Sequence, residues 1–342
     1  MTEHLFPFLD YWWFYCAFTG LVVAFLALDL GLFHHKAHRV GFREASGWTA
    51  VWVASALLFC LGLYGYSVGK FGAASGKQIG VEFLTGYVVE WLLSLDNMFV
   101  FVLVFRYFGI PAVLQHRVLF YGILGALIFR GIFIAVGAAL LQYGWVAIPF
   151  GVFLILTGIR MVLFAGRQVQ PEQSWIVRGL RKLLPVAKES EGSRFFLLRN
   201  GKLWVTPILL ALGFIEATDI LFALDSVPAV FAITREPLVV YTSNVFAILG
   251  LRAMYFLLAG ALASFHLLRY GLALILIFVG LKMAWLNAVW KGHFPTTVSL
   301  AVIVGILAGS IGLSLVFPPS RRPGDRIVSM SRHAPAEDEV RN

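Results

Sequence analysis

The sequence predicts an all-α integral membrane protein with about nine transmembrane helices. Of its 342 residues, 60% are hydrophobic and 13% are charged, which is about half the charged fraction of a typical soluble domain. Apolar windows of roughly 20 residues, long enough to cross a bilayer, recur along the chain between polar connections. An internal repeat also makes helices 3–5 and helices 6–8 equivalent units.

The predicted helices follow one another in order along the chain. Their apolar windows begin near Trp12, Trp48, Phe83, Val118, Trp145, Trp204, Leu238, Tyr270 and Thr296. The first window is long and aromatic and has no basic leader, so we expect it to remain in the protein as helix 1. Lys and Arg cluster after helices 1, 3 and 5 and in the tail, and such clusters mark the cytoplasmic side. We therefore expect a periplasmic amino terminus and a cytoplasmic carboxyl terminus.

The net charge of +9 is explained by this topology, and we do not expect a nucleic-acid partner. The two cysteines, Cys16 and Cys60, lie in separate predicted helices without CxxC spacing. This spacing indicates neither a disulfide framework nor a thiolate metal site. We expect no prosthetic group. The lipid bilayer is an expected partner, and the sequence does not identify a protein partner.

We divide the chain into a transmembrane domain, residues 1–317, and a disordered cytoplasmic tail, residues 318–342. The domain contains repeat A (about 81–165), an inner loop (about 166–203) and repeat B (about 204–290). Within the loop, residues 175–184 have the pattern of a basic amphipathic helix lying on a membrane surface. Asn200-Gly201, between two extended apolar runs, predicts a β-hairpin.

Two sets of matches define the repeat. A shift of 129 residues places the motif Glu90-x5-Asp96-Asn97 of helix 3 on Asp219-x5-Asp225-Ser226 of helix 6. A shift of 122 residues places helices 4 and 5 on helices 7 and 8, matching Arg130 with Arg252 and Gly158-Ile159-Arg160-Met161 with Gly280-Leu281-Lys282-Met283. Because three helices is an odd number, the second unit enters the membrane from the opposite side. We therefore predict inverted repeats, which are common in secondary transporters.

Acidic residues inside the apolar windows require an explanation. A carboxylate at the bilayer centre costs roughly 2.5 to 3.5 kcal/mol, so five would cost about 12 to 18 kcal/mol if nothing offset them. Carboxylate, amide and hydroxyl oxygens suit divalent cations such as Mg²⁺, Ca²⁺ and Mn²⁺. The sequence therefore predicts a midmembrane cation site formed by Glu90, Asp96, Glu216, Asp219 and Asp225.

Several nearby residues are candidate auxiliaries of this site. Asn97 and Ser226 follow the two motif aspartates, and Met98 could supply a thioether, although a buried methionine is more often a packing residue. Asn244 in helix 7 is either a ligand or an interhelical hydrogen-bond partner, and the second role is favoured. Asp29, near the inner end of helix 1, could serve packing, snorkelling or transport.

The alternative to a cation site is a set of buried ion pairs between the acids and Arg130 and Arg252. Five acids outnumber two arginines, so excess negative charge would remain for a cation or protons to neutralise. The arginines could still act as counterions when the site is empty. Pro228, three residues after Asp225, is expected to kink helix 6 and to free a backbone acceptor there.

Three motifs carry a resemblance to a known family. They are the acidic motif of helix 3, Glu216-x2-Asp219-x2-Phe222-Ala223-x-Asp225-Ser226-x-Pro228-Ala229 in helix 6, and Thr242-Ser243-Asn244-x-Phe246-Ala247-Ile248-Leu249-Gly250-Leu251-Arg252 in helix 7. Through these motifs the chain resembles the TerC/Alx family of integral membrane proteins. The resemblance implies manganese export from the bacterial cytoplasm, with the five acids as the metal site.

The functional expectation is secondary-active export of Mn²⁺ across the bacterial inner membrane, with proton antiport as the coupling hypothesis, and no enzymatic activity. A Ca²⁺/H⁺ exchanger of similar architecture is one alternative, and a membrane scaffold that delivers metal to secreted proteins is another. An intramembrane aspartyl protease is disfavoured, because Asp225 follows Phe222-Ala223-Leu224 and the GxGD pattern is absent.

Overall fold

The computed structural model describes residues 4–33, 41–163, 178–179, 185–187, 194–199, 202–258, 267–290 and 294–317. Within these ranges, nine helices are long and apolar enough to cross a membrane. The predicted all-α membrane class is therefore confirmed. The predicted surface helix at 175–184 and the tail lie outside the described residues.

The helices and strands follow the order that the sequence predicts. The helices are α1 (Phe8–Phe33), α2 (Phe42–Phe71), α3 (Ala73–Tyr107), α4 (Ala112–Leu141), α5 (Ala147–Leu163), α6 (Pro207–Phe231), α7 (Pro237–Leu258), α8 (Leu268–Leu281) and α9 (Thr296–Val316). A π-helical turn, Lys282–Leu286, and a last turn, Asn287–Val289, extend α8. The strands are β1 (Phe196–Arg199) and β2 (Lys202–Val205).

Glycine and proline punctuate the long helices. Gly72, with φ of 87°, forms the sharp join between α2 and α3, a backbone conformation that side chains disfavour. Gly109 has φ of 63° between α3 and α4. Pro207 and Pro237 begin α6 and α7, where the missing N–H costs nothing. Pro228, in contrast, lies inside α6, and the helix continues past it to Phe231.

The predicted hairpin is confirmed by the pairing of β1 with β2. The strands are antiparallel, and their register places Phe196 opposite Val205 and Arg199 opposite Lys202. The connection between them is the predicted two-residue one, whose own conformation lies outside the described part of the chain. The end of β2 leads directly into α6, the helix that carries the second acidic motif.

Helix α7 is the core of the bundle. In the most apolar stretch of α7, 94% of the residues are buried, whereas only 22% are buried in the corresponding stretches of α1 and α9. Helix α7 contacts α2, α3 and α4, and its buried polar residues include Ser243, Asn244 and Arg252. Protein surrounds these groups on all sides, so they avoid the lipid and can find hydrogen-bond partners. Ser243 packs closely on Gly86, where α3 continues without a break.

Helices α5 and α8 pack closely through small residues that lie at equivalent positions in the two repeats. A Cβ atom on Gly158 would lie 2.7 Å from the Ala273 carbonyl oxygen, and one on Gly280 would lie 2.6 Å from the Gly151 carbonyl oxygen. Glycine is required for such close backbone approach in membrane helices. At the offset of 122 residues, Gly151 corresponds to Ala273 and Gly158 to Gly280. Each helix therefore contributes equivalent residues to the contact, and the two helices run antiparallel.

The other repeat helices also contact each other crosswise. Helix α3 packs on α7, and its counterpart α6 packs on α4, the counterpart of α7. Helix α3 also contacts α6 directly, and α4 contacts α7. This pattern brings the two acidic helices together at the centre of the bundle. The orientation of the two repeats in a bilayer stays a prediction.

Candidate functional site

The candidate site is organised around one arginine. Helix α4 places Arg130 between α3 and α6, where its side chain is 1% exposed. Its guanidinium forms an ion pair with the Glu90 carboxylate of α3. Its Nη2 atom also lies 3.6 Å from Oδ1 of Asp219 on α6. One buried cation therefore contacts the two acids that the repeat makes equivalent.

Neutral polar groups complete this network. Asn244 of α7 donates a hydrogen bond from Nδ2 to Oε2 of Glu90 at 2.9 Å. Arg130 Nη1 donates to Asn244 Oδ1 and to Ser226 Oγ, both at 3.2 Å. Asn244 therefore forms hydrogen bonds that link α7 to both α3 and α4.

The network leaves acceptor capacity unused. Among the described residues, Asp219 Oδ2 and Glu216 Oε2 are buried without a hydrogen-bond partner. Removing an ion from water costs several kcal/mol, and the attraction within a buried pair offsets this cost only when further hydrogen bonds are made. A cation or proton bound to these unpartnered carboxylate oxygens is therefore expected to stabilise the site.

A cavity of about 280 Å³ reaches this network. Its lining includes Asn97, Arg130 and Ser226, together with Asp225. Asp225 Oδ1 accepts a hydrogen bond from Thr157 Oγ1 of α5 at 3.2 Å. Two more arginines, Arg160 at the end of α5 and Arg269 at the start of α8, also line the cavity, which places it at the predicted cytoplasmic end. We call it the inner cavity.

The remaining predicted residues occupy different surroundings. Glu216 is half-buried, and its carboxylate lies where any side chain at Gly125 of α4 would collide with it. Met98 is fully buried in the hydrophobic core, which agrees with the packing role. Arg252 is buried in α7. Asp96 lies in α3 and Asp29 in α1, but the described part of the structure does not include their side chains.

The acids are distributed along a path and do not all meet at one point. Among the described side chains, which exclude that of Asp96, no three Asp, Glu, His or Cys residues are placed to hold a metal ion together. Glu90 and Asp219 share Arg130, whereas Asp225 contacts Thr157 and Glu216 packs against α4. In the described structure, Arg130 therefore pairs with the two central acids and offsets one of their two negative charges.

Sequence reasoning missed Thr157. It lies directly before the repeat motif Gly158-Ile159-Arg160-Met161, and its counterpart in the other repeat is the apolar Val279. A polar residue at one copy of an otherwise apolar repeat position was the available signal. It would have marked α5 as a helix that contacts an acid.

Comparison with known proteins identifies the family of this chain. The model of the integral membrane protein TerC family matches residues 75–322, which include every helix of both repeats. The chain belongs to the TerC family. The resemblance predicted from the acidic motifs is therefore confirmed.

Several bacterial proteins are similar to this TerC-family chain over most of its length. The uncharacterized membrane protein STKORF319 of Myxococcus xanthus is 47% identical over 95% of this chain and 94% of its own. Alx of Escherichia coli K12, whose name marks it as a proposed membrane-bound redox modulator, is 44% identical over 85% of this chain and 90% of its own. No solved structure matches the chain.

Proposed function

We propose that this TerC-family protein is a secondary-active transporter that exports Mn²⁺ from the cytoplasm across the bacterial inner membrane. The observation that supports it is the buried Arg130 between Glu90 and Asp219, the equivalent acids of the two repeats. Transporters with inverted repeats bind their substrate between the repeats near the midplane. An acidic site at that place suits a cation.

The guanidinium of Arg130 is a positively charged group that already contacts the acids of this site. In the described arrangement the guanidinium pairs with both acids and offsets one of their two negative charges, so a transported ion must displace it. The oxygens that the ion would then find are those of Glu90, Asp219, Asn244 and Ser226, a set that suits Mn²⁺, Mg²⁺ or Ca²⁺. Asp225, in the inner cavity, would meet the ion on its way from the cytoplasm.

Proton antiport follows from the same charges. When the metal leaves, neighbouring carboxylates in a low-dielectric interior cannot all remain ionised, and they take up protons or return to Arg130. Glu216 and Asp219 each have a buried oxygen without a hydrogen-bond partner in the described structure. We propose that these acids carry protons inward as Mn²⁺ moves outward.

Three other functions lead to different expectations. A Ca²⁺/H⁺ exchanger would use the same oxygens, and a metal-delivering scaffold would bind Mn²⁺ without bulk flux. Alx is named for a redox role, and the two cysteines of this chain, Cys16 on α1 and Cys60 on α2, are free thiols on separate helices.

The test is Mn²⁺ flux in proteoliposomes containing the purified chain. We expect uptake into vesicles with outward-facing inner cavities, acceleration by a pH gradient, and loss of flux in Glu90→Ala and Asp219→Ala. Asp10→Asn, which changes an exposed acid at the start of α1, is the matched control and should transport normally.

Three results would each contradict one part of the proposal. Full Mn²⁺ flux in both site variants would remove the central acids from the transport path. Flux that ignores the pH gradient and a protonophore would disprove antiport but leave export intact. Stronger competition by Ca²⁺ than by Mn²⁺ would favour the exchanger.

A further inference from the structure

A second and larger cavity, of about 740 Å³, lies away from the acidic network. It is formed by the first turns of α3, the connection between α6 and α7, the π-helical turn of α8 and the start of α9, and we call it the outer vestibule because these segments lie on the predicted periplasmic side. The residues of the outer vestibule used below are Lys77, Gln78, Glu82, Thr234, Arg235, Glu236, Lys282, Thr296 and Thr297.

The two acids of the outer vestibule already have hydrogen-bond partners within the protein. Glu82 accepts from Gln78 Nε2 at Oε1, at 2.8 Å, and from the Thr234 hydroxyl at Oε2. Glu236 accepts from the Leu5 N–H at Oε1, at 2.8 Å, and from the Phe6 N–H at Oε2, at 3.3 Å. All four carboxylate oxygens are therefore engaged by neutral donors.

The ammonium of Lys282 has no such partner. Its side chain is 2% exposed and lines the outer vestibule, and its Nζ atom has no hydrogen-bond partner among the described residues. Lys282 is also the first residue of the π-helical turn, a local widening that is frequent at functional sites. Glu82 attracts Lys282 electrostatically but does not accept a hydrogen bond from its ammonium. A buried ammonium requires hydrogen-bond acceptors as well as opposite charge to offset its desolvation.

The amino-terminal end of α9 presents further donors to the same cavity. Thr296 and Thr297 line it, and no side chain caps the first turn of this 21-residue helix. The intrahelical bonding begins with the Ser299 N–H, which donates to the Pro295 carbonyl at 3.1 Å. The N–H groups before it have no partner within the helix, and together with the helix dipole they favour an anion.

We propose that the outer vestibule is a binding site for a phosphate group, held between the Lys282 ammonium and the first N–H groups of α9. Lys77 and Arg235 also line the cavity, so three basic side chains face two acids whose oxygens are already engaged. The volume accommodates a polyatomic anion with attached atoms. The phosphate belongs either to free inorganic phosphate or to the head group of an anionic phospholipid.

This site does not depend on which ion the acidic network transports. It uses other residues, at the other end of the bundle, and it attracts the opposite charge. A lipid head group is one of the two sources because the outer vestibule lies between helices long and apolar enough to cross a membrane.

The experiment uses the delipidated full-length chain in a neutral detergent. Binding of radiolabelled inorganic phosphate is measured by equilibrium dialysis, and binding of phosphatidylglycerol or phosphatidylcholine by native mass spectrometry. We expect Lys282→Met to weaken binding at least about tenfold, the effect of losing one hydrogen bond to a charged group. Lys70→Met, an exposed lysine on the same predicted side, is the matched control and should bind as the unaltered chain does.

The outcomes separate the two sources. Saturable binding of inorganic phosphate identifies a free anion, whereas binding of phosphatidylglycerol alone, without phosphatidylcholine or free phosphate, identifies a lipid head group. Absence of saturable binding for every probe, or unchanged binding in Lys282→Met, would overturn the proposal.

A second measurement needs no folded variant. Lysine acylation of the unaltered chain is followed residue by residue by mass spectrometry, with and without a saturating concentration of the probe that binds. We expect the probe to slow the modification of Lys282 at least about fivefold, because a phosphate bonded to the amine blocks its access to the reagent. Lys70 should react at the same rate throughout. Equal rates at Lys282 would contradict the site even if Lys282→Met fails to fold.

Discussion

The contact between α5 and α8 and the network around Arg130 are both built from repeat-related helices, but only the first is symmetric. In the helix contact, Gly151 approaches Gly280 while Gly158 approaches Ala273, so the two repeats contribute equivalent residues. In the network, Arg130 of α4 lies at the centre, between Glu90 and Asp219. The contact between α5 and α8 preserves the symmetry of the two repeats, whereas the network around Arg130 does not.

The departure can be traced to single positions. Asn244 of α7, which bridges Glu90 and Arg130, corresponds at the offset of 122 residues to Gly122 of α4, which packs against Ile215. Thr157 of α5, which bonds Asp225, corresponds to Val279 of α8. A transporter whose two repeats were chemically identical would have no built-in difference between its two sides. These positions are therefore where the two sides of the proposed transporter can differ in affinity or rate.

The largest effect is expected from Arg130→Met. Removing the guanidinium leaves Glu90 and Asp219 buried without their cation, and breaking a buried pair in this way costs about 3 to 5 kcal/mol. Thermal unfolding in detergent should show a clear loss of stability, and Mn²⁺ flux should be lost.

The double variant Arg130→Met with Glu90→Gln tests the cause of that loss. Because it removes both charges, it should be more stable than Arg130→Met alone. If the double variant is less stable than the single one, the ion pair does not explain the loss.

The second effect is at the symmetric contact. Gly158→Leu would place a side chain against the Ala273 carbonyl oxygen, and backbone atoms cannot rotate away. We expect the helices to separate at a cost of about 3 kcal/mol, the upper end of the usual range for overpacking. Gly305→Leu is the control, since Gly305 is exposed on α9 with open space around it. Equal thermal stability of the two variants would mean that close α5–α8 packing is not needed.

The positions of Arg130 and Gly158 also show how much could be predicted from the sequence. The helices, the hairpin and the repeat follow from apolar length, turn residues and matched motifs, and these are local signals. The partners of Arg130 cannot be predicted from these local signals. The sequence shows which face of each helix is polar, but it does not show how each helix is rotated against its neighbours. Counting charges suggested excess acid, yet the sequence did not indicate that one arginine would reach the acids of both repeats.

Buried lysine and methionine show the same limit. Met98 beside Asn97 had a chemical reason to be a ligand, but the packing of α3 turns it into the hydrophobic core. Lys282 was only a match to Arg160 in the repeat, and its burial in the outer vestibule depends on how α8 and α9 meet. Such surroundings are fixed by tertiary packing, which no local pattern encodes.

The third prediction removes the asymmetric bridge. Asn244→Ala deletes the donor to Glu90 and an acceptor of Arg130, and we expect a loss of about 2 kcal/mol because both partners are charged. Asn244→Asp is the sharper variant for transport, since it keeps the acceptor for Arg130 but adds a charge beside Glu90. We expect it to bind Mn²⁺ more tightly and to release it more slowly, measured as a lower half-saturation concentration and a lower maximal flux. An unchanged flux in both variants would separate Asn244 from the site.

The smallest effect is expected from Thr157→Val, which makes the two repeats alike at this position. It removes one hydroxyl donor to Asp225 at the edge of the inner cavity, worth about 1 kcal/mol, and leaves the side-chain shape unchanged. Stability should barely change, whereas the Mn²⁺ concentration for half-maximal flux should shift by about fivefold, because Asp225 loses the group that orients it. Thr157→Ser keeps the hydroxyl and should restore the original value. If Thr157→Ser shifts the half-saturation concentration as far as Thr157→Val does, the hydrogen bond to Asp225 is not the cause, and the difference between the repeats at this position is one of packing.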